Sequence, residues 1–195
     1  MEFGITQGDA GDIEWMFEPA SSATGMVLCH PHPLYGGSML DGVLEVASRV
    51  AKEGDVSTVR FNFRGVGASA GSYDEGIGEV ADLTAIVNEF MPHWERLILS
   101  GYSFGSRIVL SYISQATVNY DAVLFAPPTQ DSLPDLKNKV DLIVGDNDPI
   151  SSLAVLTAWT QARTNRTLHV VDDADHFLGA YPRDLSDALQ RILTH

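Results

Sequence analysis

Short apolar runs alternate with segments of helical apolar spacing along almost the whole chain, and this alternation restricts the fold more than any single residue does. Ile13–Phe17 alternates like an early strand, and Gly25–His30 reads as a second. Leu40–Lys52 places Val43, Leu44, Ala47 and Val50 at helical spacing, and Ser57–Phe63 returns to a strand pattern. Gly78–Phe90 carries Val80, Leu83, Ile86, Val87 and Phe90 on one helical face. Arg96–Ser100 is a strand and Ser106–Ile113 a helix. Ala122–Ala126 and Val140–Val144 are further strands, Ser151–Arg163 a helix capped by Ser151 or Ser152, Thr167–Val171 the last strand, and Pro182–Leu193 a closing helix. Such alternation predicts an α/β architecture, with a mostly parallel sheet covered by helices on both faces. No repeat, low-complexity segment or linker interrupts it, and 195 residues suit one domain over 1–195.

Charge narrows the partners. Twelve basic residues against 26 acidic ones leave a net charge of −14. Nucleic acid and anionic membrane surfaces both reward basic patches, so neither is an expected partner. The acids are scattered rather than gathered in a tail, as on a solvated surface. The one cysteine, Cys29, lies in an apolar run and reads as a core residue; no intramolecular disulfide can form. The first residues lack a basic segment followed by an apolar stretch, and no run approaches the roughly 18 apolar residues of a membrane span. The expected location is the cytoplasm.

The chemistry is concentrated in Gly101-Tyr102-Ser103-Phe104-Gly105. A serine with glycines two residues to either side, between a strand and a helix, is the nucleophile-elbow arrangement. The turn is sharp, and side chains at the flanking positions would clash. In parallel sheets ligands bind beyond the carboxyl ends of the strands. Those positions here hold Ser103, the Gly145–Asp148 segment and Asp175-His176, so a serine, an acid and a histidine follow in that order, 45 and then 28 residues apart. A serine hydroxyl is a poor nucleophile at neutral pH and needs a base for its proton. His176 suits that task, and a carboxylate beside it would fix the imidazole tautomer. Asp146 and Asp148 are rivals for the acid.

The chain resembles the α/β-hydrolase superfamily over nearly its whole length, and within it the small bacterial members that lack a lid. The matching stretches are Cys29–Gly37 with its His-Pro-His-Pro segment, Asn62–Gly71, Gly101–Gly105, Gly145–Asp148 and Ala174–Phe177. The resemblance implies catalysis by Ser103, Asp148 and His176, with the acid at the fourth residue of Gly-x-x-Asp. It also implies an oxyanion hole made by the backbone N–H of Phe104 and that of His32 or Leu34, His32 being preferred; Pro31 and Pro33 have no N–H to offer. The expected activity is that of a serine hydrolase, a carboxylesterase acting with water on small soluble short-chain acyl esters and needing no cofactor. A thioesterase or small-peptide hydrolase would use the same three groups, and a non-catalytic binding protein is the alternative outside enzymes. Only Pro127–Lys139 separates two strands where larger members insert a lid, so no lid domain is expected. Leu34, Tyr35, Met39, Tyr73 and Phe177 are candidates to line the substrate site, with packing roles as the alternative.

Other features have plainer readings. His30 and His32 form an H-x-H pair without further ligands at a recognisable spacing, so loop positioning is preferred to metal binding. Gly65, Gly67 and Gly71 follow the wrong strand for a dinucleotide fingerprint and read as a structural loop, anchored by Arg64. His93, His169 and His195 suit structural or surface roles, and Asp172, Asp173 and Asp175 suit turns.

Overall fold

The computed structural model describes residues 1–194. Eight strands form one sheet: β1 (Glu2–Gly8), β2 (Gly11–Glu18), β3 (Thr24–Cys29), β4 (Ser57–Phe61), β5 (Arg96–Tyr102), β6 (Asp121–Phe125), β7 (Val140–Gly145) and β8 (Arg166–Val171). The order across the sheet is β1-β2-β4-β3-β5-β6-β7-β8. The pairs β1–β2 and β2–β4 are antiparallel, and every later pair is parallel. Among the described residues four α-helices join strands, α1 (Gly42–Glu53), α2 (Ile77–Phe90), α3 (Phe104–Gln115) and α4 (Leu153–Gln161), and a fifth, α5 (Pro182–Leu193), follows β8.

The central strands are apolar on both faces because both faces are covered. Along β3, Met26 and Leu28 point to one side, where they pack with Leu44 and Ala47 of α1 and Leu185 and Leu189 of α5. Val27 and Cys29 point to the other side, against Leu83 and Ile86 of α2 and Ile108 of α3, in a cluster that also takes in Leu156 of α4. The period-two alternation of the strand therefore feeds two separate cores. Cys29 is fully buried in one of them, as its neighbours in sequence predict.

The strand β1 is absent from the sequence reading. Its large apolar side chains, Phe3 and Ile5, are 68% and 62% exposed, whereas Gly4 faces the Trp15 ring so closely that a Cβ there would lie 2.2 Å from it. The helix α4 is shorter than the expected Ser151–Arg163. It is preceded by Ser152 as N-cap residue, without a side-chain capping bond.

All six parallel strands end at the same edge of the sheet, so Cys29, Phe61, Tyr102, Phe125, Gly145 and Val171 release their loops on one side. Residues 126–139 join β6 to β7 without helix or strand, so no lid is inserted there. Among the described residues no helix is long and apolar enough to cross a membrane.

Candidate active site

Ser103 sits between β5 and α3 with φ 51° and ψ −113°, a strained conformation for a residue with a side chain. The two flanking glycines make this turn possible. A Cβ on Gly101 would lie 2.3 Å from the Gly105 carbonyl carbon, and one on Gly105 would lie 2.2 Å from the Cys29 carbonyl oxygen. The bend is locked from below. The Ser103 N–H donates to Phe125 O (2.9 Å), and Ser106 Oγ donates to Gly101 O (2.6 Å) with Phe125 O also near (3.0 Å).

His176 Nε2 lies 2.9 Å from Ser103 Oγ, and its Nδ1 lies 2.7 Å from Asp148 Oδ2. In the tautomer this network requires, Nδ1–H donates to the carboxylate and Nε2 accepts from the hydroxyl. The other Asp148 oxygen accepts from the N–H groups of Ile150 (2.7 Å) and Ser151 (2.8 Å). Burial would raise the Asp148 pKa, but bonds from His176, Ser151 and Ile150 outweigh it and hold the carboxyl below its ordinary range. Asp148 is buried whereas its rival Asp146 is exposed, so the acid beside His176 is Asp148. Asp175 instead accepts from the Phe177 N–H (2.8 Å) in the turn that carries His176.

The loop after β3 is held by His30, which is fully buried. Its Nδ1–H donates to Pro31 O (2.6 Å), and its Nε2 accepts from the Phe63 N–H (3.0 Å). Both ring nitrogens are thus engaged within the protein. Burial pushes the His30 pKa down to about 4, against a Pro31 bond that opposes the shift. The unfolded chain therefore binds the extra proton first as pH falls below about 6.5, and stability is lost between there and about 4. Between pH 7 and pH 5 this one group is expected to remove about 2 kcal/mol. Urea unfolding at both pH values tests it, since His30→Asn should lack that increment of acid loss.

His32 precedes a short 3₁₀ turn, Pro33–Tyr35. The Leu34 N–H donates to His32 Nδ1 (3.2 Å), which engages one of the two candidate donors of the loop. Among the described residues the His32 N–H has no protein acceptor. Phe104 opens α3, so its N–H belongs to the first turn, where no acceptor within the helix is available. The His32 ring is fixed by Tyr35, Tyr73 and Phe104, with centroids 4.6, 4.9 and 5.0 Å away.

A cavity of about 490 Å³ opens over Ser103 and His176. Tyr35 and Phe177 line it, as do His32 and Phe104. Leu34, Met39 and Tyr73, the remaining candidates, do not. Leu34 is 67% exposed and outside the cavity. Met39 is buried, and its backbone N–H donates to Asn62 Oδ1 (2.7 Å). Tyr73 packs behind His32. The lining also contains residues the sequence reading passed over, including Asp41, Tyr102, Arg107, Gln130, Asp131 and Ile150. Tyr102 donates its hydroxyl proton to His176 O (2.9 Å), bracing the histidine loop from the strand that carries Ser103. Its place next to the elbow serine was the available signal. Gln130, Asp131 and Ile150 come from loops with no periodicity to mark them.

The remaining sequence features fall into structural positions. Arg64 is buried, grips Asp82 of α2 through three bonds of 2.8–3.1 Å, and reaches Asp9. Gly65, Gly67 and Gly71 form a tight loop with φ of 74°, 57° and 81°. His169 lies 3.2 Å from Asp141 between neighbouring strands, and His93 ends a short 3₁₀ turn. His195 lies outside the described residues.

No family model matches the chain. An uncharacterized protein of Rickettsia prowazekii, RP471, is 28% identical over 209 residues, covering 95% of this chain and 86% of that protein. The structure is similar to that of an α/β serine hydrolase homologue from Coxiella burnetii, with a TM-score of 0.89 and 32% identity over 98% of this chain and 97% of the other. It is similar as well to a lidless α/β serine hydrolase from Xanthomonas campestris, with a TM-score of 0.88 and 30% identity over 97% of this chain and 92% of the other. The esterase Pf2001 of Pyrococcus furiosus shares the fold at a TM-score of 0.84 and 16% identity.

Proposed function

Since the chain belongs to the α/β serine hydrolases, we propose that it is a carboxylesterase that cleaves small short-chain acyl esters, with residues 1–195 as one catalytic domain. The observation that carries this reading is the continuous chain of bonds Ser103–His176–Asp148 at the floor of an open cavity.

Ser103 Oγ attacks the ester carbonyl carbon while its proton passes to His176 Nε2. Asp148 keeps the other nitrogen protonated and stabilises the imidazolium that results. The carbonyl electron pair moves onto oxygen, and the N–H groups of Phe104 and His32 hold that oxyanion. Removing one such donor typically costs about 10²- to 10³-fold in rate. As the intermediate collapses, the C–O bond to the alcohol breaks, and His176 returns its proton to the leaving oxygen. Water, deprotonated by the same nitrogen, then attacks the acyl-enzyme and frees Ser103. The His-Pro-His-Pro segment thus serves as the oxyanion loop, with His30 as its anchor. No cofactor takes part in this scheme.

The absence of an inserted segment over the cavity favours short acyl groups over long chains, which need more apolar cover. Hydrolysis of p-nitrophenyl acetate, butyrate and laurate tests the assignment. The expected order is acetate and butyrate well above laurate. An enzyme inert to all three but active on a short acyl thioester would be a thioesterase instead.

A further inference from the structure

We propose that the substrate carries a carboxylate or another small anionic group, recognised by Arg107 in the wall of the same cavity; this rests on the esterase reading and narrows its substrate class. Arg107 stands one helical turn beyond Ser103 on α3, and its backbone N–H donates to Ser103 O (3.3 Å). Residues four apart on a helix share a face, so the side chain that follows the nucleophile by one turn borders the same space. It is the one lysine or arginine among the cavity-lining residues.

This guanidinium borders the cavity, yet the protein holds it only loosely. Arg60, Arg64, Arg96 and Arg166 each grip a carboxylate oxygen at 2.8 Å or less. Arg107 has only its Nε near a carboxylate, Asp131 Oδ2 at 3.4 Å. Both side chains are open to solvent, 49% and 75% exposed. Such rim pairs contribute little and are readily exchanged. The two terminal nitrogens, the pair that forms a fork for a planar anion, have no hydrogen-bond acceptor among the described residues. Two carboxylates border the cavity. Asp41 is engaged as the cap of α1, accepting from the Val43 N–H (2.8 Å), and Asp131 is the loose partner already named. On a chain of net charge −14, a cation in the substrate cavity is not the default. A bound anion would displace Asp131 and take up the free fork.

The structure leaves two places for the anion, the acyl chain or the alcohol, and paired substrates separate them. Mono-p-nitrophenyl adipate compared with p-nitrophenyl hexanoate tests the acyl side, and 4-acetoxybenzoate compared with 4-acetoxybenzamide tests the alcohol side. The wild type is expected to favour the anionic member of at least one pair by roughly tenfold or more in kcat/KM. Arg107→Gln should abolish that preference, and Asp131→Asn, which removes the competing carboxylate, should increase it. Good hydrolysis of the neutral esters with no preference for either anion would overturn the inference and leave the esterase reading standing. So would a preference that persists in Arg107→Gln or falls in Asp131→Asn. Failure to hydrolyse any of the four would overturn both.

Discussion

Ser103→Ala is expected to lower kcat for p-nitrophenyl acetate by about 10⁴- to 10⁶-fold while leaving the fold and the unfolding midpoint nearly unchanged. The two halves of this expectation have separate causes. In the proposed mechanism the hydroxyl is the attacking atom, so its removal would leave only the proposed oxyanion donors and the binding surface to assist water. Its side chain takes no part in the core, and the strain at φ 51° is borne by a turn that Gly101, Gly105 and Ser106 hold in place. Alanine carries the same Cβ and inherits the same strain. Stopped assays at high enzyme concentration, with urea unfolding in parallel, check both halves. Residual activity within tenfold of the wild type would mean that another group attacks.

Asp148→Asn should lower kcat by about 10³- to 10⁴-fold near neutral pH, for a reason that concerns one proton. The amide is nearly the shape of the carboxylate, and its oxygen can still accept from Ile150 and Ser151 N–H. Its NH₂ group would then face His176 Nδ1. Two donors cannot share that contact, so Nδ1 would become the acceptor and the proton would move to Nε2, the nitrogen that faces Ser103 Oγ. The base would be blocked where it is needed. A variant with near-normal kcat would show that the carboxylate does not set the tautomer. The bonds that hold the Asp148 pKa down also keep it ionised under mildly acid conditions, so acid loss of activity down to about pH 5 is not expected to come from this carboxyl.

The parts of this site that were legible in the sequence are those with strong local rules. A strand that must turn into a helix above a sheet, with no room beside the serine, leaves Gly101 and Gly105 as a visible trace. Parallel strands release their loops at one edge, which brings the segments of Asp148 and His176 towards Ser103 from 45 and 73 residues away. In the structure His176 lies within hydrogen-bond distance of both Ser103 and Asp148. The strand β1 escaped because its alternation is inverted: Phe3 and Ile5 face solvent, while Gly4 lies under Trp15. No periodicity rule sees a glycine as an inward residue. The cavity walls escaped for another reason. Arg107, Gln130 and Asp131 meet only because α3 and the 126–139 loop converge in space, and neither segment marks that convergence by composition. Met39 takes the packing role that was the alternative for it: it stands near the His-Pro-His-Pro segment in sequence, but its backbone N–H donates to Asn62 and its side chain is buried.

The most direct test of the site is to incubate the protein with an alkyl fluorophosphonate, which reacts at an activated serine, and to map the adduct by peptide mass spectrometry. The expected result is a single adduct on Ser103, absent from Ser103→Ala and greatly slowed in His176→Ala, with ester hydrolysis lost in step with labelling. An adduct on a different residue, or full labelling that leaves hydrolysis intact, would contradict the assignment of Ser103 as the nucleophile.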